Sequence, residues 1–219
     1  MNLETISQEI IAGNVFLLFA ILVCLAIIIV FSKLLVDGII RPLFFYNPIG
    51  KKTICSDSDA DKSKNHTAII AISYPGWIGY RLWKNTFINS SGVDILKKGL
   101  TALGEFSIIY HPSTPEQFMK IIQTKEANPI WIIGHGYNKN SKKGLSFVEG
   151  KLPYDAFKAL KINFNKDYVM QLQCWGSDDL NEYLCEDPSK SYCTNRIRSF
   201  EENRDFIIKT LEKMNRGEF

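Results

Sequence analysis

Apolar residues follow three rhythms along this chain, and each rhythm predicts a different kind of element. The first is one unbroken run. From Ile10 to Ser32, 23 residues, no side chain is charged, and Val15–Phe31 is almost wholly Leu, Ile, Val, Phe and Ala. Coiled as a helix, such a run would be about 34 Å long, enough to cross a hydrocarbon core of about 30 Å. It predicts a single transmembrane helix within residues 1–33. The leader MNLETISQEI holds Glu4 and Glu9 and no Lys or Arg, and bulky Phe31, Leu34 and Leu35 occupy the zone where a signal peptide would be cut. A membrane anchor fits these flanks better than a cleaved leader.

The second rhythm is a set of short apolar runs bounded by turn residues: Ala68–Ser73, Phe106–Tyr110, Ile130–Ile133 and Tyr168–Leu172. These predict buried strands. The third is helical spacing. Val93, Leu96, Leu100 and Leu103 share one face of a helix stopped by Gly104, and Phe118, Ile121 and Ile122 share another that opens with Ser113, Thr114 and Pro115. Tyr154–Leu160 and Glu201–Met214 add two more helices, and Gly144–Val148 with Gly150–Leu152 a small hairpin. Continuous apolar strands alternating with helices predict an α/β domain, a mostly parallel sheet with helices on both faces, preceded by the transmembrane helix. The expected division is residues 1–33 for the N-terminal segment and span, 34–66 for a juxtamembrane segment and linker, and 67–219 for the α/β domain.

Composition changes this picture little. An apolar content of 46% and a charged content of 22% suit a folded domain. The net charge of +3 is scattered, so nucleic acid is not an expected partner. Local charge says more. Lys33, Arg41, Lys51 and Lys52 follow the apolar run and nothing basic precedes it, which predicts a cytoplasmic domain on a single-pass membrane protein. Phe44, Phe45 and Tyr46 suit either a membrane interface or the start of the core. Cys185 and Cys193 flank a polar loop and are expected as thiols in a reducing compartment. No CxxC, clustered ligands or phosphate-binding Gly-rich loop occurs, and Asp57, Asp59 and Asp61 lack the Gly and Glu that a calcium loop needs. No cofactor or metal is expected.

Chemistry concentrates at two places. In a parallel α/β sheet the site lies beyond the carboxyl ends of the strands. The third predicted strand ends in Gly134-His135-Gly136, and the fourth in Gln173-Cys174-Trp175-Gly176. A thiolate is a nucleophile, and a nearby imidazole can take its proton and return it to a leaving amine. Cys174 and His135 are therefore the expected catalytic pair, and the side-chain-free Gly136 can offer its N–H to a developing oxyanion. An α/β-hydrolase nucleophile turn is excluded, because Leu172 stands where its first Gly belongs.

The run IWIIGHG, the stretch GLSFVEGKLPYDAFKAL and the run YVMQLQC together resemble the caspase–hemoglobinase group of cysteine peptidases, caspase-like and CHAT-type domains included. The resemblance runs from about Ala68 to Ser177. It implies that His135 is the base, Gly136 an oxyanion donor and Cys174 the nucleophile, with a peptide or protein as substrate. It also implies further strands after the nucleophile, where this chain continues for 45 residues that read as loop and helix. A second expectation follows from that departure: a catalytically silent, membrane-tethered module that binds other subunits of a membrane complex.

Overall fold

The computed structural model describes residues 21–32, 54–55, 61–72, 87–158 and 164–219. Residues 21–32 are helical, and their apolar side chains are exposed. Here the first expectation is corrected. Among the described residues no helix is long and apolar enough to cross a membrane. The twelve described residues of this helix rise about 18 Å, against a hydrocarbon core of about 30 Å. The remainder of the expected span, and the basic residues Lys33, Arg41, Lys51 and Lys52 behind the expected orientation, lie outside the described residues.

The compact unit formed by residues 49–219 is α/β. In chain order its elements are β1 (Ile54–Cys55), β2 (His66–Ile72), α1 (Val93–Ala102), β3 (Ser107–His111), α2 (Pro115–Gln123) and β4 (Ala127–Gly134). Then come β5 (Gly136–Lys139), β6 (Lys142–Phe147), β7 (Gly150–Pro153), α3 (Asp155–Lys158), β8 (Val169–Gln171), α4 (Asp178–Leu184) and α5 (Phe200–Asn215). The main sheet has the order β1-β3-β2-β4-β8. Its last four strands are parallel, and β1 runs antiparallel on the outside of β3. Strands β5, β6 and β7 form a separate antiparallel sheet.

The strand order explains the layers. From β2 the chain steps to β3 on one side, then crosses back over β2 to reach β4 on the other. Two crossovers of the same hand in opposite directions place their helices on opposite faces. Alternation along the buried strands sorts the side chains accordingly. Ile69, Ala71, Ile109, Trp131, Ile133 and Leu172 pack with Val93, Leu96 and Leu100 of α1 and Ile207 of α5. Ala68, Ile70, Ile72, Ile108, Ile130 and Ile132 pack with α2, α3 and α4 through Phe118, Phe157, Leu180 and Tyr183. At about 25 cal/mol per Å² of apolar area buried, these two layers are the main source of stability.

Local rules set the helix starts. Thr114 accepts a hydrogen bond from Gln117 N, with Pro115 in the first turn of α2. Ser199 and Glu202 form a reciprocal capping box on α5. The strand order reverses at β2, and sites in such sheets lie at the carboxyl ends of the strands near that point.

Candidate functional site

The register of β4 against β8 brings the two expected chemical residues to one level. Ile130, Trp131 and Ile132 pair with Val169, Met170 and Gln171. Three residues beyond the last of these pairs stand His135, just past β4, and Cys174, in the turn after β8. By alternation both belong to the face covered by α1 and α5, as do Ile133 and Leu172 before them. Their contacts agree with that placement. The His135 ring lies against Phe87, 5.9 Å between centroids, and Phe87 meets Phe200 at the start of α5 at 5.6 Å. The Cys174 sulphur lies against Arg198, two residues before that helix.

Two glycines make the close approach possible. Gly134 has a φ of 149°, and a Cβ there would stand 2.1 Å from the Ile72 carbonyl oxygen. A Cβ on Gly136 would stand 1.8 Å from the carbonyl oxygen of Cys174. Neither position can carry a side chain without moving backbone. Gly136 is thus packed directly on the Cys174 main chain. Ser146 N donates to the His135 carbonyl, so Gly136 faces Leu145 at a non-hydrogen-bonded position of the β5–β6 ladder. Its N–H points away from β6, as an oxyanion donor requires.

The imidazole and the thiol are held differently. Burial pushes His135 below the usual imidazole range, so at neutral pH it is uncharged and able to accept a proton. Among the described residues, the hydrogen bonds of the half-buried Cys174 sulphur run to the Arg198 backbone. Arg198 N donates to it at 3.4 Å, and the thiol donates to Arg198 O at 3.7 Å. The structure therefore brings Gly136 against Cys174 and sets His135 in register with it, while the sulphur itself is turned to the segment before α5.

That segment was not singled out from the sequence. Residues 192–198 run beside β8 and the turn after it: Gln171 N donates to Tyr192 O, Gly176 N to Thr194 O and Trp175 N to Arg196 O. The buried Arg198 guanidinium holds its end through Asn203 Oδ1 at 2.6 Å, the Tyr192 hydroxyl at 2.6 Å and Glu202 O at 3.1 Å. Nothing in the local pattern TNRIRS marked Arg198, because an Arg in a polar stretch reads as solvated. Trp175, immediately after the thiol, has a φ of 58°, a left-handed conformation that is strained for a non-glycine residue.

The other residues weighed from the sequence go elsewhere. His111 ends β3, where it is buried with Nδ1 against Ala71 O at 3.2 Å. His66 lies at the amino end of β2 and meets the Tyr110 hydroxyl. The Cys185 sulphur meets Ser191 Oγ at 3.1 Å, and the Cys193 thiol donates to Asp178 Oδ1 at 3.1 Å; Cys174, Cys185 and Cys193 are all free thiols. Burial and the Asp178 carboxylate raise Cys193 to about 12, which leaves it a poor nucleophile. Beside the turn after Cys174 lies a cavity of about 340 Å³ lined by Lys143, Tyr154, Asp155, Gly176, Asp178 and Cys193, among others. Compared with protein-family models, curated proteins and solved structures, the chain shows no match to any of them.

Proposed function

We propose that residues 67–219 form a caspase-like cysteine peptidase domain that hydrolyses peptide bonds with Cys174 and His135. The observation that carries this reading is the register: neighbouring parallel strands deliver an uncharged imidazole and a thiol to the same level and face of one carboxyl edge. In the reaction, His135 takes the thiol proton as the sulphur attacks the carbonyl carbon of the peptide. The carbonyl oxygen becomes an oxyanion that the Gly136 N–H stabilises. Collapse breaks the C–N bond, the imidazolium gives its proton to the departing amine, and an acyl thioester remains. A water, deprotonated by the same imidazole, then releases the acid and restores the thiol. The first step requires the thiol to give up its bond to Arg198 O and meet His135.

A second reading is favoured by that same bond to Arg198. A sulphur that both donates to and accepts from one backbone residue is held as a structural thiol is held. On this reading the domain is a catalytically silent module that binds protein partners. One experiment decides. An electrophilic peptide should label Cys174 in preference to Cys185 and Cys193, and His135→Ala should abolish the preference. Equal labelling of all three thiols would leave only the binding module.

A further inference from the structure

We infer that Gln171 is a positioning residue for Cys174, an inference that rests on the peptidase reading above. Gln171 and Gln173 alternate with Leu172 and Cys174, so the two amides project to the opposite face of the sheet from the thiol. Both are fully buried: Gln171 ends β8, whose other residues are apolar, and Gln173 lies two residues beyond it.

The Gln171 amide uses its whole hydrogen-bonding capacity, with three of its four bonds on the turn that carries the thiol. Its Nε2 donates to Ser177 O at 2.6 Å and to Asn181 Oδ1 at 2.7 Å. Its Oε1 accepts from Ser177 N at 3.1 Å and from Gln173 Nε2 at 2.8 Å. One side-chain amide therefore grips both polar groups of Ser177, six residues ahead. This closes residues 171–177 into a ring with Cys174 at its middle. Gln173 extends the clamp to the buried Tyr154 hydroxyl at 3.0 Å, and Asn181 ties it to α4.

A ring this short must turn sharply, and the left-handed Trp175 is where it does so. A strained conformation persists only when its surroundings over-determine it. The clamp from Gln171 on one side, and the bonds of Trp175 N and Gly176 N to residues 196 and 194 on the other, supply that constraint. Gln171 touches no reacting atom. Its function is to hold the Cys174 backbone where the sulphur can reach a carbonyl carbon lying over Gly136.

The test uses the full-length chain with Gln171→Met, which keeps volume and loses every hydrogen bond, and Gln171→Glu, which keeps the acceptor half. Two reagents are compared well below the melting temperature: a panel of peptidyl acyloxymethyl ketones, which require an aligned nucleophile, and iodoacetamide, which requires only an accessible thiol. The ketone rate at Cys174 should fall about tenfold or more in Gln171→Met, since small displacements of reacting atoms are costly. Gln171→Glu should lie between Met and wild type, and the iodoacetamide rate should stay within about twofold throughout. Unchanged ketone rates in both variants, beside a reactive wild type, would overturn the clamp and leave the peptidase reading standing. A fall of both reagents in step with melting temperature would reduce Gln171 to a structural residue and overturn it too. A wild type whose Cys174 the ketones do not prefer would overturn the peptidase reading together with the clamp.

Discussion

The two ends of the main sheet use similar side chains to opposite purpose. At the amino end, His66 Nδ1 meets Lys64 O at 2.7 Å and Nε2 meets the Tyr110 hydroxyl at 2.8 Å, so both ring nitrogens are engaged. Beside them Lys166, also buried, donates to Thr124 O at 2.5 Å and Ala127 O at 2.8 Å, and closes the carbonyl end of α2 against the start of β4. At the carboxyl end, His135 lies on an aromatic ring, and a half-buried thiol is bonded to one backbone residue. Groups engaged by main-chain carbonyls and a hydroxyl make a brace at the amino end. On the proposed reading, the imidazole and the thiol at the other end are the groups that move a proton and attack. Residue type alone does not separate the two ends; the partners that each group meets do.

The largest effect should come from the carboxyl end. Cys174→Ala and His135→Ala should each abolish peptide hydrolysis and peptidyl-ketone labelling, and the double variant should be no worse than either, because members of one catalytic unit are not additive. Measuring hydrolysis beside melting temperature checks this. Two single losses that multiply in the double variant would break the pairing. At the amino end the effect should fall on stability alone. Lys166→Met leaves one buried and one half-buried carbonyl without this donor and should cost about 1–3 kcal/mol in denaturant unfolding, with the ketone rate at Cys174 unchanged. A change in that rate would erase the contrast between the two ends.

A smaller loss is expected from the cap of α5, whose N-terminus adjoins Arg198. Ser199→Ala should cost about 1 kcal/mol, read from the unfolding midpoint. The smallest effect is a pH dependence shared by both ends. Burial lowers the folded-state pKa of His66 and of His135 below the ordinary 6.5. The unfolded chain therefore takes up protons first as pH falls, so the stability present above about 6.5 is lost progressively below it. Replacing either histidine with Gln should flatten the fall of melting temperature between pH 6.5 and 5. An unchanged slope in both variants would assign acid sensitivity to other groups.

Much of the fold was legible because it depends on local rules. Short continuous apolar runs marked β2, β3, β4 and β8, helical spacing with a stop at Gly104 and a cap at Ser113 or Thr114 marked α1 and α2, and the polar stretch Glu201–Met214 marked α5. The strand-end rule also pointed to His135, Gly136 and Cys174 without any contact being known. Helix α4 was missed, since DDLNEYL is seven residues with four polar ones in its first five and reads as loop. The apolar run at the N-terminus shows the limit from the other side: its hydropathy predicted a span, and among the described residues no helix is long and apolar enough to cross a membrane.

What the sequence determined by itself, then, is most of the elements and the residue types at their ends, because backbone propensity, capping and periodic burial act within a few neighbours. Tertiary structure decided the rest. The strand order put β4 beside β8, and a register shared over three pairs set His135 level with Cys174, 39 positions apart in the chain. The contact of Gly136 with the Cys174 carbonyl, the turn of the sulphur toward Arg198 and the grip of Gln171 on Ser177 all depend on where distant segments come to rest. Such positions follow from the packing of two apolar layers on opposite faces of one sheet. That packing is a property of the whole sheet, and no local stretch of the sequence carries it.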